Sequence, residues 1–336
     1  MMGLKKTYHS LLALFVLMVF GINLKAQDPQ FSQFYAAPLF VNPAFTGTSP
    51  QHRFILNYRN QWPALKKQFV SYNASYDLYM PEINSGVGIQ LTHDKAGTAA
   101  LQYTAATGLF AYEFRINRDW VFKPGLAFSG YTRTVDMNQL VFADQIARGS
   151  GRATVEFIEQ DPRVYFDFSA GGLFYNESFW FGFSAHHLNE PNQSLLGEFG
   201  KLPVKYSAHG GFRYVIRRGV MDRIERAFWF ASNYKRQNIS SQLDVGAYFE
   251  FFPVVFGLWY RGIKVGSGEE SYENRDAVVV MVGTELESMR FGYSYDITVS
   301  QLFGNVGGAH EFSLIFAFKD NRPKKRRVRM VPCPSF

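Results

Sequence analysis

The chain has 336 residues, 17% of them aromatic, with 29 glycines, one cysteine and a formal net charge of +7. One thiol, Cys333, excludes an internal disulfide framework, so stability has to come from packing or from a membrane. The positive charge is confined to the ends: Lys5, Lys6 and Lys25 lie near the start and Lys319 to Arg329 carries a net +6, which leaves −2 on the body and excludes nucleic-acid binding by it.

Residues 1–26 read as a secretory signal peptide, with Lys5 and Lys6 ahead of an apolar core from Leu11 to Ile22 and Ala26 at the cleavage point. The stretch that follows, Gln27 to Gly47, is QDPQFSQFYAAPLFVNPAFTG. Asp28 is its one charge, and Phe31, Phe34, Tyr35, Phe40 and Phe45 offer more apolar surface than water tolerates. The uncharged run Phe31 to Pro50 is long enough to cross a bilayer as a helix. Pro38, Pro43 and Pro50 forbid that helix, and Gln30, Ser32, Gln33 and Asn42 add polar cost. An irregular segment covered by a larger structure is the expectation.

From residue 51 onward the period is two. Val70, Tyr72, Ala74, Tyr76 and Leu78 alternate with Ser71, Asn73, Ser75 and Asp77; Phe291, Tyr293, Tyr295 and Ile297 alternate with Gly292, Ser294, Asp296 and Thr298. Strands are predicted at 51–60, 67–79, 85–93, 98–115, 119–134, 162–176, 178–188, 203–216, 226–236, 240–251, 254–264, 275–286, 289–299 and 308–318. Alternation alone does not separate a soluble sandwich from a membrane barrel. Connection lengths do: Pro81–Asn84, Asn117–Arg118, Glu177, Phe252–Pro253 and Glu287–Ser288 are tight, with Arg217–Glu225 the exception, whereas the alternate connections Met137–Asp161, Asn189–Leu202, Val265–Asn274 and Ser300–Gly307 are long. Short turns at one end and long loops at the other, with an even strand count, predict an all-β, antiparallel, transmembrane outer-membrane barrel of about 14 strands, its short turns periplasmic and its long loops extracellular. The last strand ends on Phe316 and Phe318, as terminal strands of such barrels do.

The expected organisation is therefore a leader over 1–26, an N-terminal plug or strap over 27–50 at the periplasmic mouth, a barrel over 51–318 and a basic periplasmic tail over 319–336. A barrel of this width is neither filled by its own side chains nor an open channel, so its lumen needs water or a plug.

Catalytic chemistry is sparse. His93 with Asp94, His186 with His187, His209, and His310 with Glu311 are the acid–base candidates, and the bland reading, that they line the lumen or the membrane interface, outweighs the catalytic one. Gly-x-Ser-x-Gly, phosphate-loop, zinc and calcium signatures are absent from the sequence, so no enzyme activity, metal or cofactor is expected. The tail Lys324, Lys325, Arg326, Arg327, Arg329 is either a solvated strip or a docking strip for an acidic periplasmic partner, and the Pro332-Cys333-Pro334-Ser335-Phe336 ending favours docking.

The opening QDPQFSQFY, then Asn42-Pro43-Ala44-Phe45-Thr46-Gly47, then Tyr58-Arg59-Asn60-Gln61-Trp62-Pro63, resembles the PorP/SprF family of type IX secretion membrane proteins of Bacteroidota. So do Gly292-Tyr293-Ser294-Tyr295-Asp296-Ile297, Gly308-Ala309-His310-Glu311 and Cys333-Pro334-Ser335-Phe336 near the end. The resemblance implies a non-catalytic outer-membrane component that assists export or surface attachment of a cognate secreted adhesin or cell-surface protein, as in gliding motility. It implies as partners the adhesin or its C-terminal secretion domain, periplasmic and outer-membrane parts of the machine, and the lipid bilayer. Phe31, Phe34, Tyr35, Asn42, Pro43 and Phe45, with Lys324, Lys325, Arg326, Arg327, Arg329, Cys333 and Phe336, are then the expected partner-binding residues. A plugged pore for small or hydrophobic solutes is the alternative.

Overall fold

The computed structural model describes residues 29–49, 52–65, 69–97, 101–136, 140, 143–148, 161–195, 200–219, 224–263, 265, 277–286, 288–299, 307–318 and 331–333. The expected leader 1–26, the basic strip Lys324, Lys325, Arg326, Arg327 and Arg329, Phe336 and most of the loop Met137–Asp161 lie outside the described residues. All strands belong to one compact unit, Phe31–Phe336.

In chain order the strands are β1 His52–Gln61, β2 Phe69–Met80, β3 Ser85–Ala96, β4 Leu101–Tyr112, β5 Phe114–Arg115, β6 Val121–Val135, β7 Arg163–Tyr175, β8 Phe179–His186, β9 Lys205–Arg218, β10 Ile224–Gln237, β11 Ser240–Phe251, β12 Val254–Ile263, β13 Ala277–Leu286, β14 Met289–Thr298 and β15 Ala309–Phe318. β4 and β5 flank Glu113 and both pair with β6, so together they make one stave and the barrel has fourteen. Every neighbour is antiparallel, and β1 closes the ring against β15 with His52 opposite Phe318 and Gln61 opposite Ala309. Each predicted strand is present, with ends shifted by a few residues. Closure removes the free edges that an open sheet would expose.

The alternation runs apolar outward and polar inward, the inverse of a soluble barrel. On β2 the outward Tyr72 is 50% exposed while Ser71, Asn73, Ser75 and Asp77 are buried. On β8 Phe179, Phe181 and Phe183 face out, and Trp180 and Ser184 face in. Ile89, Leu126, Phe166 and Leu258 are more than half exposed, which water would penalise and hydrocarbon does not. Toward the long-loop end the outer face carries a ring of neighbouring aromatics: Tyr58 and Tyr72 (5.2 Å between centroids), Tyr103 and Tyr131 (5.7 Å), Tyr131 and Tyr165 (5.0 Å). Toward the short turns Phe114, Phe122 and Phe174 stack in turn. Aromatic belts at two levels mark the two membrane interfaces.

Candidate functional site

The segment Phe31–Thr48 touches staves on opposite sides of the ring, which only a chain inside it can do. Its local form follows from its prolines. Pro38 opens the helical turn α1, Pro38–Val41, and Pro43 opens the 3₁₀ turn Pro43–Phe45, positions where a missing N–H costs nothing. Asn42 caps the second turn, its Oδ1 accepting from Ala44 N at 2.9 Å. The residues that rule out a long helix thus start two short ones.

Toward the long-loop end the segment completes a buried charge cluster. Glu311 of β15 accepts from two successive backbone donors, Ser32 N at 2.7 Å and Gln33 N at 3.0 Å. Arg59 of β1 bridges Glu311 at 3.1 Å and Asp296 of β14 at 2.7 Å, and Arg261 of β12 reaches Asp296 at 3.1 Å. The Ser32 hydroxyl donates to Asp296 at 2.7 Å and accepts from Arg59 at 2.8 Å and Arg261 at 2.6 Å. Two arginines and two carboxylates leave the cluster neutral, which is what makes its burial tolerable.

A second cluster holds the other end, at the short turns. Arg53 and Asp77 form a bidentate pair at 2.8 and 2.9 Å, Gly47 N donates to Asp77 at 2.7 Å, and the fully buried Lys123 donates to Gly47 O at 2.9 Å. Between the clusters lies an aromatic core: Phe34 against Trp259 at 5.1 Å, Tyr35 against Trp180 at 5.6 Å with the indole donating to the Tyr35 hydroxyl, and Phe45 stacked on His209 at 5.1 Å. Burial holds the Tyr35 phenol far above its ordinary range, slightly eased by the Trp180 N–H. The wall is thinned to admit the 3₁₀ turn: a Cβ on Gly125 would lie 2.4 Å from Ala44 N, and one on Gly86 would lie 2.1 Å from Thr46 O.

The segment reaches further than a cover for the short-turn mouth. Ser32 and Gln33 sit level with Arg59, Asp296 and Glu311, each within three residues of a long-loop strand end. Buried charges at that level need partners, and the Ser-Gln dipeptide supplies them. Of the expected partner-binding residues, Phe31, Phe34, Tyr35, Asn42, Pro43 and Phe45 are all buried in the lumen, and Cys333 is half-buried beside the same core.

Several acid–base candidates are split by the wall. His310 faces out, 2.9 Å from the Tyr293 hydroxyl, while Glu311 faces in. His93 pairs with Thr104 on the outer face, and Asp94 with Ser71 inside. A continuous strand would send His186 and His187 to opposite faces, but β8 ends at His186 and a φ of +61° at His187 turns the second ring inward. His187 then lies 3.1 Å from Asp167 and His186 3.2 Å from Val41 O, with ring centroids 6.4 Å apart. No group of three metal-ligating side chains occurs among the described residues.

Arg53, Asp77, Lys123 and Arg261 lie in no motif, and Arg59 lies in the Tyr58–Pro63 run without a role assigned to it. Their signal was positional: each is a charge on the phase of its strand opposite the one that meets lipid. Asn42 joins three adjacent staves, β7, β8 and β9. Its Nδ2 lies 3.2 Å from Gly172 O, 3.0 Å from Phe183 O and 3.2 Å from His209 Nε2. Asn42→Ala should cost about 1–3 kcal/mol, since it removes a cap and strands buried carbonyls. Thermal loss of the compact form in heat-modifiable electrophoresis measures this, with Asn42→Ser, which keeps an uncharged cap acceptor, falling between.

In solved structures the chain is similar to the toluene transporter TodX of P. putida, with a TM-score of 0.54 and 10% identity over 85% of this chain and 95% of that one. It is also similar to a Pseudomonas aeruginosa FadL homologue, with a TM-score of 0.44 and 10% identity over 84% and 94%. The first likeness shows the outer-membrane barrel fold; the second is too low to carry an argument. No curated protein matches the sequence. The family model for type IX secretion system membrane protein PorP/SprF matches residues 23–316. Matched over most of its length and built as an outer-membrane β-barrel, the chain belongs to the PorP/SprF family of type IX secretion system membrane proteins.

Proposed function

We propose that this protein is a non-catalytic outer-membrane component of the type IX secretion system that assists the export or surface attachment of a cognate secreted adhesin or cell-surface protein, its lumen closed by its own N-terminal segment. The observation that carries the reading is the double anchoring of Phe31–Thr48 by a buried charge cluster at each end, Arg59–Asp296–Glu311 and Arg53–Asp77–Lys123. A segment held in this way obstructs solute passage while leaving the loops free. In this reading the long loops, including the hairpin closed by the Asn192–Lys201 bridge, face the cargo outside the cell, and the short turns face the periplasmic machinery. The leader 1–26 directs export.

Affinity isolation of the native protein from envelopes tests it, combined with solute flux in liposomes. The expected result is co-isolation of a large surface protein bearing a secretion-type C-terminal domain together with periplasmic machine components, and flux at the level of empty liposomes. Porin-like flux without a stable protein partner would replace this reading with that of a solute pore.

A further inference from the structure

Val331–Cys333, near the end of the chain, also lies inside the ring. Val331 is 9% exposed and belongs to the apolar cluster that fills the lumen, and Cys333 packs against that cluster. Trp229, an inward-facing residue of β10 that is itself buried, donates its indole Nε1 to Pro332 O at 2.9 Å. Cys333 lies within electrostatic reach of Arg53, Arg213 and Arg290, all nearer the short-turn ends of their strands, and of Tyr35 on the N-terminal segment. Val331–Cys333 therefore sits toward the short-turn side of the lumen, beside the part of the N-terminal segment that carries Tyr35.

The two lumenal segments are held differently. Phe31–Thr48 is tied through buried carboxylates, arginines and a lysine, whose separation would leave uncompensated charge in a dry site. Among the described residues the tail is held by one neutral hydrogen bond and by the buried Val331 and Pro332, uncharged contacts that water replaces at modest cost. A contact of that strength opens and closes on its own.

We propose that Val331–Cys333 is a releasable latch: this chain's own C-terminal segment is the ligand of a lumenal seat built around Trp229, and its departure uncovers the Trp229 indole and the apolar floor beneath Tyr35 at the short-turn mouth. Release leaves the barrel and the N-terminal segment in place, because no hydrogen bond or ion pair of either charge cluster comes from Val331–Cys333. The Trp229 N–H is the directional part of the seat, since a buried indole donor without an acceptor is unfavourable. Seating also suppresses the thiol: burial pushes Cys333 up to about 11 against the pull of Arg53 and Arg213, so little thiolate exists near neutral pH.

Cys333 is the sole cysteine and so reports its own state. The test is the rate of maleimide labelling of the full-length folded protein in mild detergent, with heat-modifiable electrophoresis confirming an intact barrel. Wild-type protein should label about tenfold slower than after unfolding in hot dodecyl sulfate, the factor expected when a modestly held segment must open first. Val331→Asp, a change confined to the tail, should bring the folded protein to within about twofold of the unfolded rate. Trp229→Phe, which keeps the ring and removes the donor, should raise the rate about threefold to tenfold. A wild-type rate equal to that of the unfolded protein, or an unchanged rate in a folded Val331→Asp variant, overturns the latch.

Discussion

Glu311→Ala should loosen the lumenal segment at the long-loop end while leaving the barrel closed. Three things are lost at once: the charge that balances Arg59 and Arg261 against Asp296, the acceptor of Ser32 N, and the acceptor of Gln33 N. Removing one member of a buried ion cluster costs about 3–5 kcal/mol, mostly because the opposite charge remains buried without compensation. The wall does not need Glu311 for closure, since its fourteen staves are joined by backbone hydrogen bonds. The strain therefore falls on the segment, which is free to leave at Phe31 and draw water in. The expected outcome is a normal folded band, faster chymotrypsin cleavage at Phe31, Phe34 and Tyr35, and solute flux in liposomes above wild type. Glu311→Gln, which keeps an acceptor but not the charge, should fall between. Adding Arg59→Ala to Glu311→Ala should recover part of the loss, because Arg261 and Asp296 then remain as a neutral pair, and the two changes will not sum. Wild-type cleavage and flux in Glu311→Ala would mean that the cluster does not hold the segment.

The fold was readable because a membrane barrel writes two independent patterns into one chain. Alternation in β2 and β14 gave strand character, and the sorting of tight and long connections gave topology; a soluble sandwich shares the first and has no cause for the second. Glu113, where β4 and β5 part, is invisible to period two, because an interrupted stave still alternates on either side of the break. The lumenal segment was half readable. Its aromatic and proline content required a cover and forbade a membrane helix, yet its depth depended on which polar wall residues lie opposite Ser32 and Gln33. Those residues are more than 200 positions away in sequence, as the Ser32–Asp296 and Gln33–Glu311 bonds show, and local pattern holds no information on such pairs. The His187 turn was hidden for a related reason. Strand alternation predicts its side only while the strand continues, and a single residue of left-handed backbone reverses it.

Gly125→Ala should unseat the middle of the segment, and it tests the opposite end of the lumen from Glu311. The added Cβ would sit 2.4 Å from Ala44 N and 2.6 Å from both Ala44 Cα and the carbonyl carbon of Pro43. These are backbone atoms of a proline-started, Asn-capped turn, so no flexible side chain can move aside. Either β6 shifts outward against its neighbours or the turn lifts and Phe45 loses its stack on His209. Overpacking a filled site costs about 1–3 kcal/mol even when the neighbours can adjust, and here they adjust poorly. Gly130, on the same strand, is the control: a Cβ there meets only the outward Phe166 ring at 3.8 Å, an ordinary contact. Both substitutions remove one glycine from one stave, so both change the unfolded chain equally. The expected result is a lowered transition of the folded band and new cleavage at Phe45 in Gly125→Ala, with Gly130→Ala unchanged or slightly more stable. Equal behaviour of the two variants would show that the wall at Gly125 yields, and that the close fit of Asn42–Gly47 against β6 is not what fixes the segment in the lumen.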